Sequence, residues 1–255
     1  MSSLPGIVTP ALLSSIRSRP NLPTHTWYII AATTLSQLNR PDEIQKVYQH
    51  ALDHGPGQAD AVPSHDEKMS ISRRMREALI KVAAVGGVPR TINALLELKK
   101  VTPEELLDDT DSLSPTGRRA EFYDTPAPEM MQRGQNYFEN VYGKVARRVM
   151  GQMDRSGTED LGLLARLMYG YVLSNTSILT PAETSFVMIA GLIPQDVNPQ
   201  LKGHLRGALN GGATVDQVKA VRSVVVEICE ASGMRMLDDS TPAGFGWRCE
   251  VADLN

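Results

Sequence analysis

Phe186-Val187-Met188-Ile189-Ala190-Gly191 runs into an Asn198-Pro199 break and then a helical stretch ending Ala208-Leu209. The same plan occurs earlier: Trp27-Tyr28-Ile29-Ile30-Ala31-Ala32, an Asn39-Arg40-Pro41 break, and a stretch ending Ala51-Leu52. Each is followed by another apolar stretch, Met75 to Val85 and Val218 to Cys229. Identity between the two copies is faint, but order and length match. Ile44, Val47, Tyr48, Ala51 and Leu52 recur at spacings of three and four, which is the period of a helix with one buried face. The economical reading is a duplicated three-helix unit. Neither copy alone has a complete core, so the copies are expected to pack on each other. The fold class predicted is all-α, a tandem pair of helical units forming an intramolecular pseudo-dimer.

Working outward, further helices are expected at about 72–85, 90–99, 129–153, 159–174, 181–193, 199–210 and 215–232, with 55–70 as a loop. The β-branched run at 224–228 stays inside a helical period. Asp108, Asp109, Asp111, Pro115, Gly117, Pro126 and Pro128 make 108–128 the richest breaker segment, read as a linker between an N-terminal unit (1–107) and a C-terminal unit (129–237). Residues 238–255 read as an irregular tail.

The chain has 255 residues, with 26 Lys and Arg against 29 Asp and Glu, a net charge of −3. A near-balanced chain offers no electrostatic case for nucleic acid. With 42% hydrophobic residues it can build a core, and global disorder is excluded. No apolar run approaches the roughly 18 residues that span a bilayer, so no membrane role is expected. Cys229 and Cys249 form no CxxC pair, no Cys/His cluster has zinc spacing, and the chain reads as intracellular. The first 41 residues lack any acid, which is weakly like a mitochondrial presequence; an amphipathic helix capped by Thr9-Pro10 is the preferred alternative. The C-terminal Val251-Ala252-Asp253-Leu254-Asn255 is no peroxisomal address. Location is therefore expected to be cytoplasmic, with mitochondrial as the alternative.

Leu179-Thr180-Pro181-Ala182-Glu183, the apolar helix to Ile193 and the run His204-Leu205-Arg206-Gly207-Ala208-Leu209-Asn210-Gly211-Gly212-Ala213-Thr214 resemble the carboxymuconolactone decarboxylase family, which shares an all-α fold with alkylhydroperoxidase D-like proteins. Tyr169-Gly170-Tyr171-Val172 is similar to the family's upstream aromatic-glycine segment, and Gly87-Val88-Pro89 to its Gly-x-Pro turn. The resemblance is best over 134–232 and weaker over 26–100. The peroxidase branch carries a Cys-x-x-Cys pair ending four residues before the histidine. Those positions here are Val197 and Gln200, so thiol peroxidase chemistry is not expected. Val47 stands where the first copy would carry the histidine, and Gly233-Met234-Arg235 replaces the second Gly-x-Pro turn.

What the resemblance implies is a cofactor-independent lyase or isomerase on a small oxygenated or lactone acid. His204, with an unperturbed pKa of about 6.5, would be general acid/base. Its bland alternative is a half-buried histidine bonded to a carbonyl. Glu183 would orient it or relay a proton, although Thr180 and Glu183 also form a capping box that explains Glu183 structurally. Arg206, sharing a helix face with Lys202, would hold a carboxylate. Tyr169 and Tyr171, with Met168 and Met188, would line the pocket or else fill core. Lys144, Arg147, Arg148 and Arg155 read as a solvated or oligomer-contact face. No metal is expected, since His50 and His54 lack a third ligand at metal spacing. A silent helical scaffold or ligand-binding member is the alternative function, and association into a homo-oligomer stays open.

Overall fold

The computed structural model describes residues 4–56, 62–108, 113–237, 247 and 251–254. All regular structure among them is helical. The first half contributes α1 (Pro10–Arg17), α2 (Trp27–Gln37), α3 (Ile44–His54), α4 (His65–Gly86) and α5 (Val88–Val101). Then come α6 (Arg118–Asp124), α7 (Ala127–Tyr142), α8 (Ala146–Met153) and α9 (Asp160–Leu167), which runs on as a π-helical segment, Met168–Leu173. α10 (Pro181–Leu192), α11 (Asn198–Asn210) and α12 (Val215–Ala231) complete the set.

α2 is buried along its whole length and α10 from Thr184 to Leu192, as befits helices apolar all round rather than on one stripe. They sit at the centre. α2 packs on α10, and each of the two also packs on both α4 and α12. α3 lies on α2, and α11 lies on α10. Both copies of the sequence plan leave their first helix through a left-handed residue, Asn39 (φ 55°) and Asp196 (φ 57°), residue types whose short polar side chains tolerate that region.

Several boundaries differ from the sequence reading. α4 begins inside the expected loop, at His65, because Ser64 and Glu67 form a capping box: Glu67 N–H donates to Ser64 Oγ at 3.3 Å and Ser64 N–H to Glu67 Oε2 at 2.8 Å. The helix expected at 129–153 is divided at Gly143, whose φ of 52° no helix accommodates. Pro103 opens a single turn, Glu104–Leu106. Within 108–128, α6 forms beside the breakers, and Arg118 is buried against Glu77 of α4. Residues 109–112 and most of the tail lie outside the described residues. Trp247 is buried, donating from Nε1 to the Ile193 carbonyl at 3.1 Å. Cys229 is buried and burial pushes its thiol far above the ordinary range, as expected for an inert core cysteine; Cys249 lies outside the described residues.

The closest backbone approach joins α7 to the π-helical segment. A Cβ on Gly134 would stand 2.5 Å from Gly170 Cα and 2.9 Å from the Tyr169 carbonyl carbon. Backbone cannot swing aside as a side chain can. Gly134→Ala is therefore expected to destabilise the protein by about 2 kcal/mol, the range for overpacking a tight contact. Gly6→Ala, whose methyl would meet only the flexible Lys46 ammonium at 3.5 Å and Glu43 Oε1 at 3.8 Å, serves as the control. Urea midpoints check this, and equal midpoints for the two variants would contradict the packing argument.

Candidate functional site

His204 lies on α11, 4% exposed. Its Nε2 is 3.5 Å from the Tyr169 hydroxyl, and its Nδ1 is buried with no partner among the described residues. Tyr142 stands beside it, ring centroids 6.0 Å apart and edge-on. The Tyr169 hydroxyl is 3.4 Å from that of Tyr142. Phe138 and Tyr137 complete an aromatic wall, with Phe138 edge-to-face on Tyr169 at 4.8 Å.

Each group is placed by a local feature. Tyr169 sits on the π-helical segment, where the widened turn is held from outside: Arg133 donates to the Gly170 carbonyl at 2.8 Å and to Ser174 Oγ at 2.8 Å, and a carboxylate of Glu121 grips the same guanidinium. Such π-helical turns are costly and cluster at functional sites. Tyr142 lies flat on α11 because Gly203 has no side chain; a Cβ there would be 2.6 Å from Tyr142 Cε1. Gly207 similarly admits Val141, and Gly211 admits the backbone of α10 at Ala182.

Burial sets the protonation states. Desolvation brings the His204 imidazole down to about 4, and no charge opposes it. Desolvation also raises Tyr169 well above the ordinary tyrosine value, with Tyr142 adding to the rise. At neutral pH the pair is therefore a neutral imidazole and a protonated phenol. The expectation of an imidazole titrating at neutral pH is corrected on this physical ground. The Tyr169 hydroxyl donates its one proton to the Tyr142 oxygen, so in the neutral ring Nε2–H donates to Tyr169 and Nδ1 is a buried acceptor without a donor.

Glu183 is placed elsewhere. Its Oε2 accepts from Thr180 N–H at 2.9 Å, completing the capping box, and its Oε1 accepts from Arg74 Nη2 at 2.5 Å. Burial would raise its pKa, but Arg74 and the Thr180 hydrogen bonds outweigh this and lower it. Arg74 also donates to the Tyr28 hydroxyl at 3.1 Å and to the His25 carbonyl at 3.1 Å. Glu183 thus joins α10 to α4 and α2. His204 is not among its partners, so a proton relay between the two is not what the geometry provides. Tyr171 is also apart from His204: it is half-buried near α6, its hydroxyl donating to the Arg118 carbonyl at 3.4 Å and its ring 5.9 Å from Phe122. Met188 is core, and Met168 is half-buried in the π-helical segment.

Arg206 and Lys202 line a groove of about 670 Å³ between α11 and the α7–α8 turn, together with Tyr142, Lys144, Arg148 and Pro199. Tyr142 is the shared wall: it lines the groove and its ring stands beside His204, which does not itself line the groove. Tyr142 and Arg74 are the residues that sequence reasoning missed. Gly203 was the available signal for Tyr142, since a glycine inside a helix costs about 1 kcal/mol against alanine and is kept where something packs close. Arg74 had no signal, because its partner is 109 residues away. His50 and His54 stack at 4.2 Å at the end of α3, and no group of three or more metal-ligating side chains occurs among the described residues.

No helix among the described residues is long and apolar enough to cross a membrane. No family model matches the chain. It is 38% identical over 222 residues to peroxisomal protein 2 of Schizosaccharomyces pombe, spanning 85% of this chain and 91% of that protein. It is 30% identical over 252 residues to peroxisomal protein 2 of Saccharomyces cerevisiae, spanning 82% of this chain and 89% of that protein. At this identity over nearly the full length of both relatives, the chain belongs to the peroxisomal protein 2 family.

Proposed function

We propose that the chain is a cofactor-independent enzyme of the lyase or isomerase type acting on a small oxygenated acid, on a tandem pair of units of which only the second is active. The observation that carries this is the orphaned Nδ1 of a buried histidine paired with a buried tyrosine hydroxyl, one aromatic ring behind a cationic groove. Arg206 holds the acid's anionic group. Tyr142 swings aside, and the unprotonated His204 Nδ1 takes the proton next to the acid's carbonyl, leaving the C–H electron pair as an enolate and the proton on an imidazolium. The enolate and the imidazolium form as an ion pair shielded from water, where opposite charges attract strongly with little reorganisation. A bound anion beside the imidazole also favours its charged form and moves its pKa back toward the range useful for proton transfer. Tyr169 orients the ring. Glu183 has no part in the step. In the first copy, Val47 occupies the corresponding place and is wholly buried core, which suits a unit retained for packing.

A thermal-shift screen with lactones, keto acids and dicarboxylates tests the proposal on wild type and His204→Gln. A true ligand at about a hundred times its Kd stabilises the native state by about 2.7 kcal/mol. The expected result is a ligand that raises the melting temperature of wild type and is turned over by it, with turnover lost in His204→Gln. If the ligand binds wild type and is never converted, the reading fails in favour of a ligand-binding member without catalysis. That second reading has its own support, because His204 does not line the groove and Glu183 is committed to Arg74.

The relatives' names favour a peroxisomal location over the cytoplasmic or mitochondrial one expected from sequence. Co-localisation of internally tagged protein with a peroxisomal matrix marker is the expected outcome, and a purely cytosolic signal would overturn it.

A further inference from the structure

The two segments that wall the groove contain no acid. From Asn140 to Met153 the charged residues are Lys144, Arg147 and Arg148, and from Val197 to Val215 they are Lys202 and Arg206. This is in a chain whose net charge is −3. Of these cations, Lys144, Arg148, Lys202 and Arg206 line one concavity. Elsewhere Arg74 is matched by Glu183, Arg118 by Glu77, Arg133 by Glu121 and Arg166 by Asp154. The four groove cations meet no carboxylate among the described residues. Lys202 and Arg206 are four apart on one helix face, an arrangement that is mutually repulsive unless something neutralises it.

The concavity is built rather than incidental. Gly203 seats Tyr142 against α11, Gly143 turns the chain with φ 52°, and Asn210 Nδ2 donates to the Val141 carbonyl at 3.2 Å, pinning the two walls together. α11 begins at Asn198, and Pro199 in its first turn lines the wall. A volume of about 670 Å³ suits a small molecule and exceeds what one carboxylate fills.

We propose that this groove binds a phosphoryl-bearing small molecule, its phosphate oxygens held by Lys144, Arg148, Lys202 and Arg206. Arginine forks match phosphate oxygens in pairs, and lysines add compact charge. Four cations outnumber the charge of a simple monocarboxylate and suit a polyanion such as a diphosphate. The inference deepens the function proposed above and rests on it for one point, that the uncharged end of the ligand reaches toward Tyr142. Binding at the groove stands without catalysis.

Isothermal titration at fixed ionic strength, using inorganic pyrophosphate, orthophosphate and citrate, tests this on wild type, Arg148→Ala, Lys99→Ala and His204→Gln. Arg148 and Lys99 are exposed, and an unchanged melting temperature verifies that both variants fold. Pyrophosphate should bind wild type at least tenfold more tightly than orthophosphate or citrate. Arg148→Ala should weaken it about tenfold, the loss of one charge-assisted contact. Lys99→Ala, on α5 and away from the groove, and His204→Gln should leave it unchanged. The proposal is overturned if Arg148→Ala binds as wild type does. It is overturned equally if citrate binds as tightly as pyrophosphate, or if phosphatidylserine vesicles capture the protein while soluble pyrophosphate does not bind. Loss of the catalytic reading alone appears differently, as no turnover of any acid with pyrophosphate binding and its Arg148 dependence intact.

Discussion

Glu77→Gln lowers the melting temperature by roughly 8–16 °C, the largest single effect expected in this chain and the equivalent of about 4 kcal/mol at 2–4 °C per kcal/mol. Glu77 is 1% exposed. Arg118 grips it with both guanidinium ends, at 2.6 Å each, and Lys81 Nζ lies 3.7 Å from Oε1. Lys81 is fully buried and donates to the carbonyls of Leu173 at 2.8 Å and Asn175 at 2.7 Å. Burial brings its ammonium down to about 8, while Glu77 acts to hold it charged. Two cations thus share one buried carboxylate. The amide keeps the shape of Glu77 and removes its charge, so Arg118 and Lys81 are left facing each other in a poorly solvated place. Removing one partner of a buried ion pair costs more than the pair itself contributes, because the survivors keep their desolvation penalty. The cluster joins α4 to α6 and to the end of the π-helical segment that carries Tyr169, so loosening should reach the His204 site. Scanning calorimetry checks the prediction. A drop under 2 °C would mean that the cluster is solvated in solution.

Acid weakens wild type more than His204→Gln, and the difference develops between about pH 6.5 and pH 4. The imidazole titrates at about 4 in the folded protein and near 6.5 in the unfolded chain. Between those values the unfolded chain holds a proton that the folded one does not. Stability therefore rises with pH through this window: the contribution is intact above about pH 6.5 and is lost as pH falls to about 4, amounting to about 3 kcal/mol in all. Carboxylates lose stability in acid too, but they do so in both proteins, which is why the difference is the quantity to read. Urea midpoints at pH 7.0 and 4.5 for the two proteins measure it. Parallel acid losses would show that water or Tyr169 reaches the imidazole well enough to keep its ordinary pKa.

The helical character of the chain was legible because helix period and punctuation are local. Thr180-Pro181-Ala182-Glu183 and Thr214 with Gln217 form the capping boxes their spacing indicates, and Thr9 accepts from Leu12 N–H at 3.1 Å. The chain breaks at Asn39-Arg40-Pro41 and just ahead of Asn198-Pro199, which open α11. The cap ahead of α4 was equally local, in Ser64 and Glu67, but sat inside a segment dominated by proline and glycine. The π-helical turn at Met168–Leu173 was not legible, because its register is held by Arg133 and by the backbone of Gly134, contacts that no local pattern encodes.

The candidate site divides the same way. His204 stood out in the sequence, and it is the residue with a buried, unpaired ring nitrogen. Its neutral state was not legible, since desolvation depends on α7 and the π-helical segment closing over it. Glu183 and Tyr171 were assigned through the family resemblance, and each is claimed by a distant group: Glu183 by Arg74, Tyr171 by the Arg118 carbonyl. Sequence by itself determined the all-α class, most helix limits and the histidine, because spacing, caps and glycines act over one or two turns. Only the tertiary structure decided which charges are neutralised, leaving Lys144, Arg148, Lys202 and Arg206 without a carboxylate among the described residues, because charge pairing depends on distance in space.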